Sequence, residues 1–167
     1  CSIPFINADG YHSKTVAYSI WHIIRIEDIV VNSLIRRKKE VLFENDFDKK
    51  IGAEIITTGN ELVKQEIAEF SPKLNITALY EYALLVKAST DEWLKSIHYE
   101  DIKKKFGDDD KKRISELGVV SADESAVWLI DYWCSKDISG LIKMPLSRHW
   151  IMHIEAANRI KEKILDR

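Results

Sequence analysis

The five histidines of this 167-residue chain are His12, His22, His98, His149 and His153. His149 and His153 stand four residues apart, which on a helix separates them by about 40° in direction and about 6 Å in rise, so both imidazoles can reach one ion. They fall on the stripe Leu146, His149, His153, Ala156, Ile160 and Ile164, whose steps of three and four mark a core-facing seam. Imidazoles inside a seam are costly unless something satisfies their ring nitrogens. His22 lies mid-way along an earlier helical stretch, with Tyr18 and Ile26 one turn away on either side. If the two helices are neighbours, His22, His149 and His153 form a three-nitrogen set for a divalent transition metal with coordination positions left open, a catalytic kind of site. Nitrogen donors suit zinc, nickel, iron or copper, whereas magnesium and calcium prefer oxygen. The competing reading is that of ordinary hydrogen-bonded core histidines. Trp150 follows His149 and no glutamate lies between the pair, so the metalloprotease pattern His-Glu-x-x-His is absent. Protons should compete with an ion held this way once the pH drops below about 6.5.

The elements that must position these residues are helical. Only three prolines and six glycines interrupt a sequence that is 46% hydrophobic, the profile of a compact helical protein and not of a disordered one. Long helices are expected at 15–39, capped by Ser13 and buried on more than one side, at 75–97, capped by Asn75, at 122–135, opened by the capping box Ser121-Ala-Asp-Glu124, and at 145–165, with Pro145 in its first turn. Between them the spacing predicts a long connection over 40–58, with a short strand or turn around Ile55-Ile56-Thr57, and a short helix over 59–70. It also predicts one or two short surface helices flanking Gly107 and a loop around Ser139-Gly140. The basic run Arg36-Arg37-Lys38-Lys39 reads as a solvated helix end. Residues 1–167 are expected to form one all-α domain with a single core, a four-helix bundle.

Bulk properties exclude several classes of function. A net charge of −2 from 25 basic and 27 acidic residues gives no footprint for nucleic acid. No apolar stretch reaches the roughly 18 residues of a membrane span, and no secretory leader precedes the first helix. Two distant cysteines, Cys1 and Cys134, point to a reducing, cytoplasmic setting, with Cys134 read as buried and inert. Because the chain starts at Cys1 and not at methionine, its numbering is expected to begin inside a longer product. Trp21 and Trp150 each adjoin a proposed ligand and are candidates for a pocket wall, although large aromatics are more often core. Arg25, one turn beyond His22, is a candidate for a substrate carboxylate or phosphate, against the plainer reading of an ion-paired or surface side chain. Glu27 and Asp28 point away from His22 and make poor general bases.

The stretch from Thr15 to Asp28, including Trp21-His22, resembles the histidine-bearing second helix of the DinB/YfiT-like superfamily. The segment Pro145-Leu-Ser-Arg-His149-Trp-Ile-Met-His153 resembles its last helix, which carries two histidines at the same spacing, and Leu79 to Leu94 is similar to its third. The likeness covers most of the chain. It implies a four-helix bundle, a homodimer, zinc or nickel on His22, His149 and His153, and a small-molecule substrate handled with a low-molecular-weight thiol. Thiol transfer is the first activity it implies and hydrolysis the second. The alternative is a non-catalytic helical module for dimerisation or stress-related binding, with vestigial or structural histidines. Two features depart from the family. Only about fourteen residues precede the His22 helix where relatives have a full helix, so the first bundle helix is expected to be absent from residues 1–167. Ile154-Glu155-Ala156-Ala157-Asn158 follows His153, where relatives often have a further histidine and a glycine.

Overall fold

A computed structural model describes residues 14–165. Among these, every regular element is helical, and the only extended pairing is an isolated bridge between Lys105 and Asp137. The α helices are α1 (Val16–Asp28), α2 (Val41–Glu44), α3 (Phe47–Lys50), α4 (Gln65–Phe70), α5 (Ile76–Ser96), α6 (Asp108–Glu116), α7 (Glu124–Cys134), α8 (Ile138–Lys143) and α9 (His149–Leu165).

α1 is the axis around which the rest packs. The Thr15 hydroxyl caps it by accepting from the Tyr18 amide, while the expected cap, Ser13, lies outside the described residues. Residues 21–34 are buried without exception, as their all-round apolar pattern requires. At Ile29 the helix widens into a π segment that runs to Ile35, seen where the Arg36 amide reaches the Val31 carbonyl. The expected extension to residue 39 therefore fails. Arg37 adopts the left-handed region at φ 53°, and its guanidinium and that of Arg36 are drawn sideways to Asp110 and to Ser89 and Glu92. The basic run is thus only partly solvated, with Arg36 half-buried.

Beyond the turn, Asp28 draws the chain back. Its carboxylate accepts from the Val41 and Leu42 amides, from Asn32 and from the Tyr82 hydroxyl, and Arg25 lies beside it. Such a buried acid is tolerable because its lone pairs are occupied. The connection over 40–58 contains the single-turn helices α2 and α3, whose Leu42 and Phe47 enter the core, and no strand forms at 55–57. α5 and α9 pack against α1, and α6 and α7 cover the π half through Ile114, Leu129 and Trp133.

Asn75 caps α5 as expected. Ser121 does not cap α7; Asp123 does, accepting from the Ser125 amide. The expected loop at Ser139-Gly140 is instead α8, because Asp137 accepts from the Gly140 amide and starts a helical turn there. A π turn over Met144–Arg148 joins α8 to α9, so Pro145 sits in a continuing helical path and not at its start. The expected short helix over 59–70 is confined to α4. No helix among the described residues is long and apolar enough to cross a membrane.

Candidate metal centre

α1 and α9 run as neighbours, and this brings the three imidazoles together. The ring centroid of His22 lies 5.0 Å from that of His149 and 4.9 Å from that of His153, and those of His149 and His153 are 4.6 Å apart. One nitrogen from each ring falls within 4.8 Å of the others. Tetrahedral coordination at 2.0–2.1 Å requires nitrogens roughly 3.4 Å apart, so the set needs only a small contraction to close on an ion. His22 Nε2 and His149 Nε2 already stand 3.1 Å apart.

The orientation of His22 is fixed from behind. Its Nδ1 lies 2.8 Å from the Thr58 carbonyl oxygen, which can only accept, so Nδ1 carries the proton and Nε2 presents its lone pair to the centre. Tyr18 stacks on the same ring at 5.6 Å and donates its hydroxyl to the Gly59 carbonyl. Gly59 has φ +75°, and a Cβ there would lie 3.1 Å from Tyr18 Cε2. The turn at 58–59 is therefore shaped to reach the imidazole. In return, His149 must donate from Nε2 to His22 when no ion intervenes. An ion bound at that atom would leave the proton on Nδ1, and the Nδ1 atoms of His149 and His153 are both buried without a partner. Two buried ring nitrogens that no protein group satisfies are uncommon in ordinary core histidines. The donor set fits a divalent transition metal, and the three residues could hold one.

Burial dominates the electrostatics. Desolvation lowers the pKa of His149 to about 4 and that of His153 to about 3, the latter also opposed by His149, and both feel the Lys14 ammonium. Desolvation, then His149 and His153, puts His22 well below its ordinary value of 6.5. All three are thus neutral, the form a metal requires, across a wider pH range than unburied imidazoles would be.

Two clefts flank His22. One, of about 350 Å³, lies on the Lys14, Asn60 and Lys64 side. The other, of about 220 Å³, is walled by Trp128, Leu129, Trp133 and Pro145. Trp21 and Trp150 follow the plainer reading of core aromatics and do not wall either cleft. Trp21 is fully buried against Phe70 and Tyr82, and Trp150 packs at the edge of the same core. Arg25 is fully buried and reaches Glu40, Tyr82 and the Ile56 carbonyl, so it is ion-paired and unable to meet a substrate. Glu27, also buried, accepts from Thr90. Cys134 is buried, with burial pushing its thiol up to about 11. Sequence reasoning missed Thr58, Asn60, Lys14 and Trp128. The Thr57-Thr58-Gly59-Asn60 turn was a signal, since a glycine after a threonine pair marks a tight bend; nothing in the sequence tied it to His22.

The chain matches no family model, no curated protein and no solved structure.

Proposed function

We propose that this chain is a metal-dependent enzyme of the DinB-like type, in which His22, His149 and His153 hold one divalent transition metal, zinc or nickel. The observation that carries the reading is the convergence of three buried imidazoles, one pinned by the Thr58 carbonyl so that its free nitrogen faces the other two. α1, α5 and the run from Pro145 into α9 contain the three stretches on which the resemblance rests. When bound, such an ion supplies Lewis acidity that lowers the pKa of a water or thiol in an open coordination position. The chain's own residues do the rest. The Thr58 carbonyl holds the His22 proton on Nδ1, Tyr18 stacks on the ring, and the cleft beside Trp128 gives one side of the centre an apolar wall. Transfer of a low-molecular-weight thiol to a small electrophile is the activity that the resemblance implies first, and hydrolysis is second. Exposed Ile151 and Met152 on the outer face of α9 favour a homodimer.

Protein purified without an affinity tag should contain close to one transition-metal ion per chain, measured by elemental mass spectrometry. Chelated protein should take up one cobalt ion with the visible spectrum of a nitrogen-rich site. Protein that arrives without metal and binds no cobalt would sink the reading. Thiol-transfer activity that survives metal removal would sink its catalytic half.

A further inference from the structure

We propose that the two clefts flanking His22 form one binding site for a small amphipathic anion, its anionic end beside Lys14 and its aromatic or aliphatic end against Trp128 and Leu129. This deepens the metal-enzyme reading by naming its substrate class, and rests on that reading for the role of the histidines but not for the existence of the site.

The first cleft is lined by cationic groups. Lys14 and Lys64 line it together with Asn60, and among the described residues no aspartate or glutamate does. Lys14 is half-buried and makes no ion pair or hydrogen bond among the described residues. Glu61, the acid next to Asn60 in the chain, accepts from the Thr57 hydroxyl and does not line the cleft, although its charge reaches Tyr18, which does. A desolvated ammonium without a partner is unfavourable, and burial accordingly lowers the Lys14 pKa. An anionic group beside it would relieve that cost and gain a charge-assisted hydrogen bond. Three neutral imidazoles cancel none of the charge of a divalent ion, which adds to the same preference.

The second cleft has the opposite chemistry. Ile26, Trp128, Leu129, Trp133 and Met144 face it, and among the described residues no lysine, arginine, aspartate or glutamate does. Trp128 is held in place by its indole N–H, which donates to the Ser125 carbonyl, and by an edge contact with Tyr132, yet it remains half exposed. An aromatic face kept open beside a polar centre suits a flat or aliphatic group. Both clefts share His22 and Asn60 as wall, so a ligand spanning them crosses the histidine cluster between its charged and apolar ends.

The test uses 3-phenylpropionate, its neutral amide 3-phenylpropanamide, and propionate. Each is titrated by calorimetry into metal-loaded and metal-stripped protein, with metal content measured on every sample. The acid should bind about tenfold more tightly than the amide and than propionate in both samples, with a larger margin when metal is present. Lys14→Met should erase the preference for acid over amide while metal content stays at the parent level. Trp128→Ala should erase the preference for the phenyl acid over propionate. The proposal is overturned if 3-phenylpropionate fails to bind in the millimolar range, if the amide matches it, or if Lys14→Met leaves the preference intact. Preferences of this kind in a protein that arrives without metal and cannot be loaded with any would support the anion site and defeat the metal reading. Metal at one ion per chain with no such preference would do the reverse.

Discussion

At the scale of single residues, His153 separates a functional centre from a structural one. Its ring is buried on α9, but α9 is also held to the core by Ala156 and Ile160, so the apolar seam carries the packing without the imidazole. His153→Ala should therefore lower metal occupancy at least tenfold while the helical circular dichroism persists. The stripped protein should lose about 1–3 kcal/mol, the usual range for a buried truncation, reduced by removal of an unpartnered Nδ1. Loss of the helical signal would mean that the ion holds the fold together, and full occupancy would mean that His153 is no ligand. Cys134 offers a second residue-scale check. With its thiol held near pKa 11 and its side chain buried, it should resist iodoacetamide at pH 7 in the native protein and react fully after denaturation, as peptide mapping at that residue would record. Rapid native labelling would reopen a redox or nucleophilic role.

At the scale of elements, the long helices and the site histidines were readable because both depend on short-range periodicity. Apolar residues of the run Val16 to Leu34 spread around much of the helix, and the 149/153 pair declares its common face through a four-residue step. What sequence hid was set by tertiary partners. The π continuation of α1 stops at Ile35, where Arg36 and Arg37 find Glu92 and Asp110 more than fifty residues away, and α8 forms because Asp137 caps a stretch whose Ser139-Gly140 otherwise reads as a loop. The Trp128 wall was equally invisible, since half-exposure on α7 depends on how α8 and the π turn leave the cleft open. The turn at 58–59 gives this scale its prediction. Gly59→Ala places a methyl group 3.1 Å from the Tyr18 ring in a left-handed conformation, so the turn must shift and the Thr58 carbonyl with it. Metal affinity should fall by about 10- to 100-fold, as when a partner that orients a ligating imidazole is lost, with a stability cost of about 1 kcal/mol. Unchanged affinity, measured by competition with a chromophoric chelator, would show that the Thr58 contact does not set the His22 geometry.

At the scale of the whole molecule, burial of three imidazoles beside one ammonium couples folding to pH. Each histidine has a folded pKa below its unfolded value of about 6.5, His149 at about 4, His153 at about 3 and His22 well below the usual imidazole range, so the unfolded chain binds more protons than the native one below that pH. Stability from this source is complete above about pH 6.5 and is lost as the pH falls, at up to about 1.4 kcal/mol per pH unit for each histidine. Asp110, whose pKa is lowered, acts in the same direction at more acid pH, and buried Glu27, whose pKa is raised, opposes it. Urea midpoints of chelated protein should therefore drop steeply from pH 7 to pH 5, and His153→Ala should flatten the slope by about one proton. The same shifts reverse a simpler expectation for the metal. Protons were expected to compete with the ion below about 6.5, but in the native fold the imidazoles are already neutral there, and competition moves down toward pH 4. The affinity of folded protein for zinc, measured in buffers with a calibrated free-ion level, should thus stay nearly constant between pH 7 and pH 5 even as the fold itself weakens. A tenfold fall in affinity for each unit below pH 6.5 would show that the histidines titrate as exposed groups and that the cluster is open to water.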